Sequence, residues 1–394
     1  MNNSAQRLDD SLRDDLETLH ARSLYRLRRL VEGAQGPEIV VDGIRCLNFS
    51  SNNYLGLAGH PALCDATRRA LDQYGLGSGA AHLITGHTRA HAMLEEELAA
   101  FVQRPRALLF STGYMANLGV AGALLTRADR VLEDRLNHAS LLDAALLCGA
   151  RFSRYPHADA TALQRQLVTS ARRKLVMTDG VFSMDGDVAP LPTLTRVSQA
   201  TGAFLIVDDA HGFGVLGSNG RGTLEHFDLG MTQVPVLMAT LGKALGTFGA
   251  FVAGSEALIE TLIQRARTYI YTTASPACLA EATRAALKLA QTESWRREKL
   301  HALIARFRNG ATQLNLPLMD SSTAIQPLLI GDAARAMTVS DALHVEGILA
   351  IAIRPPTVPN DSARLRITLT AGHTEEHIDR LLEALVHVSR NYSN

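Results

Sequence analysis

Short, continuous apolar runs alternate with helix-length segments through the middle of this chain. The runs are aliphatic or β-branched and comprise Ala107–Phe110, Val131–Glu133, Lys174–Thr178, Phe204–Val207, Val236–Ala239 and Phe251–Ala253. Strands that are apolar at consecutive positions are typical of parallel sheets that helices cover on both faces. The pattern therefore predicts an α/β fold with a mostly parallel central sheet.

The last hundred residues carry a different pattern. Ala324–Ile330 and Leu349–Ile353 resemble strands, and polar and apolar positions alternate from Arg364 to Thr370. A period of two predicts a half-buried strand of an antiparallel layer. A final helix is expected from one apolar stripe, which consists of Ile378, Leu381, Leu382, Leu385 and Val386.

The N-terminal region is predicted to be helical. Apolar residues recur at helical spacing from Leu12 to about Val31, and glycines and a proline end the pattern at residues 33–37. We therefore expect an N-terminal helix and arm over residues 1–45 and a large domain over residues 46–285. A smaller C-terminal α+β domain is expected over residues 286–394.

Composition and charge narrow the class of protein. Lys plus Arg and Asp plus Glu each total 39, so the net charge is zero, which argues against sequence-independent nucleic-acid binding. Four widely spaced cysteines show no zinc-ligand spacing, and residues 1–10 lack an apolar signal region, so a cytoplasmic protein is expected. The uncharged stretch from Ala107 to Thr126 contains Ser111, Thr112 and Asn117, which indicates a strand, turn and helix and no membrane span.

Two segments with candidate chemistry follow predicted strands. Asp208 and His211 come directly after Phe204–Val207, and ligands bind at the carboxyl ends of strands in open α/β sheets. Lys243 follows Val236–Ala239, where partial desolvation would lower its pKa and make it a nucleophile. Taken singly, Asp208 could instead cap a turn, and His211 and Lys243 could be ordinary loop residues.

A third segment, Ser111–Asn117, opens a predicted helix and could bind an anion, although plain helix capping explains it equally well. The pattern H-x-x-E-H at His373–His377 fits an inverted zinc-protease motif. Its position at the start of the last helix favours a structural role, and no metal is expected.

Together, an amine, a carboxylate and a phosphate-binding helix terminus are the protein groups that pyridoxal 5′-phosphate requires. The chain resembles the α-oxoamine synthases, a group of fold-type I pyridoxal-phosphate enzymes related in fold to aspartate aminotransferase. The motifs that carry this resemblance are Asn48–Leu57, Gly75–Gly79, Asp134–Ser140, Val181–Asp187, Asp208–His211, Gly242–Lys243 and Ile353–Pro359. The last of them resembles the signature of the biotin-pathway branch.

The resemblance implies a role for each matching residue. Lys243 would bind the cofactor covalently as an imine, Asp208 would hold its ring nitrogen, His211 its phenolic oxygen, and His138 would stack on its ring. The remaining cofactor contacts would come from Gly113, Tyr114, Ser183 and Thr240, and from Thr272 and Thr273 toward a neighbouring subunit's phosphate. Substrate contacts would come from Arg354 on the amino-acid carboxylate and from Arg26 and Thr357 along the acyl path.

The implied reaction is a decarboxylative condensation of L-alanine with a pimeloyl thioester, giving 8-amino-7-oxononanoate, CO2 and free thiol. The acyl carrier would be coenzyme A or an acyl-carrier protein, and the protein would be a homodimer with shared active sites. Another α-oxoamine synthase, such as a glycine C-acetyltransferase or a serine palmitoyltransferase, is the alternative.

Overall fold

The computed structural model describes residues 4–22 and 24–391. The strands are β1 (Val31–Glu32), β2 (Glu38–Val41), β3 (Ile44–Asn48), β4 (Arg106–Phe110), β5 (Arg130–Asp134), β6 (Arg151–Tyr155), β7 (Lys174–Asp179), β8 (Phe204–Asp208), β9 (Val236–Thr240), β10 (Ala250–Gly254), β11 (Ile325–Gly331), β12 (Ile348–Leu349), β13 (Ile351–Ile353) and β14 (Ala363–Thr368). The helices are α1 (Ser4–Ala21), α2 (Pro61–Tyr74), α3 (Arg89–Phe101), α4 (Gly113–Leu124), α5 (Ala139–Leu147), α6 (Ala160–Leu167), α7 (Leu191–Ala200), α8 (Thr223–His226), α9 (Glu256–Arg265), α10 (Arg267–Ile270), α11 (Ala277–Thr292), α12 (Trp295–Gln313), α13 (Ala333–Val345) and α14 (Glu375–Asn391), with a π-helical turn at His82–Gly86.

Seven strands form the central sheet in the order β4-β10-β9-β8-β7-β5-β6. Strand β10 runs antiparallel to both of its neighbours, and the other pairs are parallel. The prediction of a mostly parallel sheet is confirmed, and each of the six predicted strands is present. The seventh, β6, was missed because it is a polar edge strand that lacks an apolar run.

Both faces of this sheet are buried. Successive strand residues point to opposite faces. Accordingly, Leu132 and Val176 belong to one apolar core, whereas Val131 and Leu175 belong to another on the opposite face. The continuous apolar runs of the sequence are therefore explained by helices on both sides.

The N-terminal prediction is partly wrong. Helix α1 ends at Ala21, and none of its described residues is buried. Residues 24–30 are not helical; Leu27 and Leu30 are exposed, and the backbone N–H of Leu30 donates to Asp42 Oδ1 at 2.8 Å. Helical spacing there does not correspond to a buried face, and Leu30 is instead held against Asp42, between β2 and β3.

The remaining strands form two smaller sheets, with strand orders β1-β2-β3-β12 and β11-β14-β13. The predicted strand Leu349–Ile353 is divided between them, since β12 pairs with β3 and β13 pairs with β14. Because β12 pairs with β3, a strand of the C-terminal region extends the sheet that the N-terminal hairpin begins. The predicted domain boundaries fall inside β3 and α11, and the domain division stays a prediction.

Strand β14 corrects another prediction. All six of its residues are buried, whereas alternation predicted one exposed face. Its polar side chains are buried because they bind partners: Arg364 pairs with Asp185, and Arg366 Nε donates to the Ser183 carbonyl at 2.6 Å. The final helix is confirmed, with its apolar stripe against the core. Within the ranges described, no helix is both long and apolar enough to cross a bilayer.

Candidate active site

A cavity lies at the carboxyl ends of the parallel strands. It is lined by Gly113, Tyr114, His138, Ser140, Asp179, Ser183, Asp208, Ala210, His211, Met238, Thr240 and Lys243. Eight of the thirteen site residues predicted from the sequence are in this set, and the other five, Arg26, Thr272, Thr273, Arg354 and Thr357, are not. The structure thus brings together residues from five separate segments of the chain.

The sheet topology explains this convergence. Asp179, Asp208 and Thr240 are the last residues of β7, β8 and β9. Asp179 is in register with Asp208 on the neighbouring strand, and Asp208 with Met238 on the next. Because parallel strands end at a common edge, residues distant in sequence meet there.

Lys243 lies in the turn after β9, and its Nζ is 3.0 Å from His211 Nε2. The turn closes with Gly246 at φ 65°, where a Cβ would lie 2.4 Å from the backbone nitrogen of Ala58, so only glycine fits. Burial lowers the pKa of Lys243 to about 8, against the opposing effect of the nearby Asp208 carboxylate. The amine can therefore lose its proton near neutral pH.

His211 connects Lys243 to a buried tyrosine. Its Nδ1 is 2.5 Å from the hydroxyl of Tyr54, and that hydroxyl reaches Asn52 Oδ1 at 3.3 Å. Burial, together with the charge of Lys243, lowers the pKa of His211 well below its ordinary value, so the ring is neutral. Burial also raises the pKa of Tyr54 to about 12. A neutral ring that donates from Nδ1 to Tyr54 can accept from Lys243 at Nε2.

Asp208 is held by donors from two directions. Asn117 Nδ2 on α4 donates to its Oδ2 at 2.8 Å, and the backbone N–H of Ala210 donates to its Oδ1 at 3.0 Å. Asn117 Nδ2 also donates to Ser140 Oγ at 2.8 Å, and that oxygen is 2.8 Å from His138 Nδ1. A hydrogen-bond network thus orients Asp208 and His138 together.

Asp179 is a site residue that sequence analysis missed. Its Oδ2 accepts the backbone N–H of His138 at 2.7 Å. Burial, and then the nearby charge of Asp208, raise the pKa of Asp179 well above its ordinary value. Its position as the last residue of a buried strand was the available signal, but the predicted strand stopped one residue earlier.

The start of α4 forms one wall of the cavity. Thr112 caps this helix through a hydrogen bond from the Met115 N–H to its Oγ1, and Gly113 is the first helical residue. A Cβ on Gly113 would lie 2.8 Å from Thr240 Cγ2, so a side chain there would fill the cradle. The Tyr114 hydroxyl donates a hydrogen bond to Asp143 Oδ2, and this hydrogen bond raises the pKa of Tyr114.

Arg366 is a buried cation beside the cavity that sequence analysis assigned only to a strand. Its Nη2 donates to Asn52 Oδ1 at 3.1 Å, and its Nε donates to the Ser183 carbonyl. Its charge contributes to the lowered pKa of both His211 and Lys243. The alternating pattern of β14 gave no sign that its polar side chains lie beside the cavity.

The five remaining predicted residues lie elsewhere in this chain. Arg354 Nη2 donates to the carbonyl of Tyr25 at 2.5 Å, and Thr357 is exposed in the segment that follows. Arg26 is exposed in the non-helical segment after α1, so its predicted helical position is wrong. Thr273 forms a β-bridge with Ala81, next to Thr272.

Comparisons of sequence relate the chain to known enzymes. The family model described as Aminotransferase class I and II matches residues 44–385. An 8-amino-7-oxononanoate synthase of Nitrosococcus oceani is 64% identical over 375 residues, which are 95% of this chain and 100% of that protein. The 8-amino-7-oxononanoate synthase of Cellvibrio japonicus is 60% identical over 96% of this chain and 95% of that protein.

Solved structures show the same fold. A serine palmitoyltransferase from S. paucimobilis with bound PLP–myriocin aldimine has a TM-score of 0.93 at 28% identity, and the match covers 100% of both chains. An 8-amino-7-oxononanoate synthase from Francisella tularensis has a TM-score of 0.78 at 32% identity, over 89% of this chain and 99% of that chain. The fold is therefore the fold-type I aminotransferase-like fold that the sequence predicted.

Proposed function

The chain belongs to the class I and II aminotransferase family and, within it, to the 8-amino-7-oxononanoate synthases, and we propose that it condenses L-alanine with a pimeloyl thioester. The products are 8-amino-7-oxononanoate, CO2 and the free thiol, in biotin biosynthesis. The observation that carries the proposal is the convergence of Lys243, His211, Asp208 and His138 on one cavity. An amine, a carboxylate and two imidazoles at this spacing are the groups that pyridoxal 5′-phosphate chemistry needs.

The residues present fit this cofactor. Gly113 leaves a cradle that a Cβ would close, and the N–H groups at the start of α4 can receive a phosphate. Asp208 has fixed donors on both oxygens and keeps its carboxylate directed at the cavity. When bound, the cofactor supplies an electron sink that makes the α-proton of an amino acid acidic and later drives loss of CO2.

We assign the cofactor contacts as the resemblance implies. Asp208 would pair with the ring nitrogen, His211 with the phenolic oxygen, and His138 with the ring face, while Lys243 would attach it covalently. The phosphate and its surroundings would be contacted by Gly113, Tyr114, Ser183 and Thr240 from this chain. Thr272 and Thr273, which lie outside the cavity of their own chain, would serve the second subunit of a homodimer.

Lys243 is suited to move protons at the α-carbon of the bound amino acid. A pKa of about 8 leaves part of the amine neutral near pH 7, and a neutral amine is a base. His211 stays neutral and can accept a hydrogen bond from this amine, which holds Nζ in place without adding a second positive charge. The chain thus provides a positioned base whose proton affinity matches neutral pH.

Two arginines are candidates for the carboxylate of L-alanine. The resemblance implies Arg354, whose guanidinium is bonded to the Tyr25 carbonyl. The geometry adds Arg366, which is buried beside Asn52 and Ser183 and whose charge acts on Lys243. A planar fork of donors suits a carboxylate in either place. Kinetics of Arg354→Met and Arg366→Met distinguish the two candidates. The arginine that binds the carboxylate of L-alanine is the one whose replacement raises the KM for L-alanine by about tenfold or more.

Other parts of the proposal concern the acyl substrate and the assembly. Arg26 and Thr357 would line the acyl path, and both are exposed and free to meet a substrate. The acyl carrier is coenzyme A or an acyl-carrier protein, the protein is a homodimer, and its location is the cytoplasm.

A product assay tests the substrate assignment. Purified protein is incubated with L-alanine and pimeloyl-CoA, and 8-amino-7-oxononanoate is measured by mass spectrometry. Glycine with acetyl-CoA and L-serine with palmitoyl-CoA serve as controls, because serine palmitoyltransferases share this fold. Formation of 8-amino-7-oxononanoate supports the proposal, and turnover only in a control reaction contradicts it.

A further inference from the structure

His157 lies outside the cavity, between two carboxylates. Its Nδ1 is 2.9 Å from Asp134 Oδ1, and its Nε2 is 2.9 Å from Asp187 Oδ2. The ring is half-buried, and the ring of Phe182 meets it edge-on with centroids 4.4 Å apart. None of the roles assigned above uses this histidine.

The geometry requires the charged form of His157. Ionised carboxylates only accept hydrogen bonds, so both ring nitrogens must donate, and only an imidazolium has two N–H groups. Burial by itself would lower the pKa of His157, but the hydrogen bonds to Asp134 and Asp187 outweigh it and raise this pKa to about 9. Behind Asp134 lie Tyr155, whose pKa is raised by burial, and Glu133, whose pKa burial raises to about 8. Both shifts favour the neutral form of these two groups.

Asp134 connects the histidine to the loop that carries His138. Asp134 ends β5, and its carboxylate also accepts the N–H of Leu136 at 2.9 Å and the N–H of Ala158 at 2.7 Å. The turn it fixes leads directly to His138, the N-cap of α5. Asp134 therefore anchors one end of the turn whose other end is His138.

Asp187 connects the histidine to the loop that carries Ser183. The carbonyl of Asp187 accepts the N–H of Phe182 at 3.0 Å, and the N–H of Gly186 donates to the Phe182 carbonyl at 2.8 Å. These bonds close a tight loop over residues 182–187 with Ser183 inside it. Asp187 is the point where His157 holds that loop.

We propose that His157 is a positioning residue: as a doubly donating imidazolium it joins the Asp134 loop to the Asp187 loop and thereby fixes the spacing of His138 and Ser183 across the cavity. A neutral ring has one donor, so loss of the proton leaves a lone pair facing one carboxylate and releases one loop. Misplacement of a binding group by about 1 Å can cost roughly 10²-fold in rate. Only the kinetic test of this inference rests on the proposed function.

The kinetic test compares His157→Gln with wild type from pH 7 to pH 10. Glutamine can donate to one carboxylate only, so kcat/KM for L-alanine falls by about tenfold or more at pH 7. The ratio of wild type to variant then decreases as pH rises through about 9, because the wild-type ring loses the second donor. Lys243 titrates in both proteins and cancels in the ratio. His387→Gln is the matched control, since His387 is exposed, pairs with Glu346 and does not line the cavity.

A second variant keeps the test decisive if His157→Gln does not fold. In Asp187→Asn, the new side-chain amide can donate to the Nε2 of a neutral His157 ring. As the pH rises above 9, this variant should therefore lose a smaller fraction of its activity than wild type loses. A wild-type to variant ratio that does not change with pH, for either variant, would overturn the inference.

Hydrogen exchange of the cofactor-free protein tests the same inference without any reaction. In His157→Ala, which can donate to neither carboxylate, amides of residues 134–138 and of residues 182–187 exchange about tenfold faster, whereas residues 215–222 are unchanged. Unchanged exchange in both loops, or faster exchange in one alone, contradicts a joint clamp. If wild type makes no 8-amino-7-oxononanoate, the proposed function fails while this exchange result still decides the clamp.

Discussion

The carboxylate of Asp208 accepts a hydrogen bond from the side-chain amide of Asn117, and this contact joins positions 91 residues apart in the sequence. Asp208, His211 and Lys243 could be predicted because each follows a recognisable apolar strand. Asn117 and Tyr54 could not, since their importance depends on partners that only the fold brings near them. A helical asparagine and a loop tyrosine carry no local sign of such a role.

Replacement of Asn117 tests the orientation of Asp208. Asn117→Ala removes the donor to Oδ2, and a hydrogen bond to a charged group is worth about 1.5–3 kcal/mol. We expect the Kd for pyridoxal 5′-phosphate, measured by titration of the cofactor-free protein, to rise by about tenfold or more. Asn219→Ala, at an exposed loop position, is the control and should leave that Kd unchanged.

Glu133 gives a stability prediction with a defined pH dependence. Burial raises the pKa of Glu133 to about 8, so the folded protein keeps a proton that the unfolded chain loses above about pH 4.5. The free energy of unfolding therefore falls between pH 5 and pH 8, since the folded state binds more protons there. Glu133→Gln carries no such proton and should gain about 3–4 kcal/mol relative to wild type over this range.

Urea titration at pH 5 and pH 8 measures this difference. Glu32→Gln, at an exposed position, is the control. A difference between Glu133→Gln and wild type that stays constant with pH would show that the carboxyl is already ionised at pH 5.

At the scale of elements, strand β14 shows where periodicity misleads. Alternation correctly indicated a strand, but it cannot distinguish a polar face in water from a polar face buried against ions. Arg364 and Arg366 can be buried because each has a partner. Arg364 forms an ion pair with Asp185, and Arg366 donates a hydrogen bond to the Ser183 carbonyl. The same limit applies to residues 24–30, whose helical spacing does not correspond to a buried face.

The ion pair of Arg364 and Asp185 should dominate the stability of this contact. Asp185→Ala leaves the buried guanidinium without its partner, which costs about 3–5 kcal/mol. The measurement is the free energy of unfolding in urea. Asp320→Ala removes an exposed carboxylate 3.9 Å from Arg308 and should leave the value unchanged. Equal effects of the two substitutions would mean that the buried pair adds nothing.

At the scale of the whole molecule, a homodimer with shared sites makes a prediction about mixed subunits. Lys243→Ala and the double variant Thr272→Ala/Thr273→Ala are each expected to be inactive. If the threonines serve the neighbouring site, a hybrid dimer has one intact site, so random reassembly restores about one quarter of wild-type activity. Lys243→Ala mixed with Asp208→Ala is the control and should restore none, because both residues line the cavity of their own chain. Equal recovery in both mixtures, or none in either, contradicts the shared site.

The most direct test of the account is chemical trapping of the cofactor on its lysine. The protein is loaded with pyridoxal 5′-phosphate, reduced with borohydride, digested and mapped by mass spectrometry. The convergence of Lys243, Asp208 and His211 predicts a phosphopyridoxyl group on Lys243. Its absence from Lys243, or its presence only on another residue such as Lys174, Lys288 or Lys299, would contradict the account.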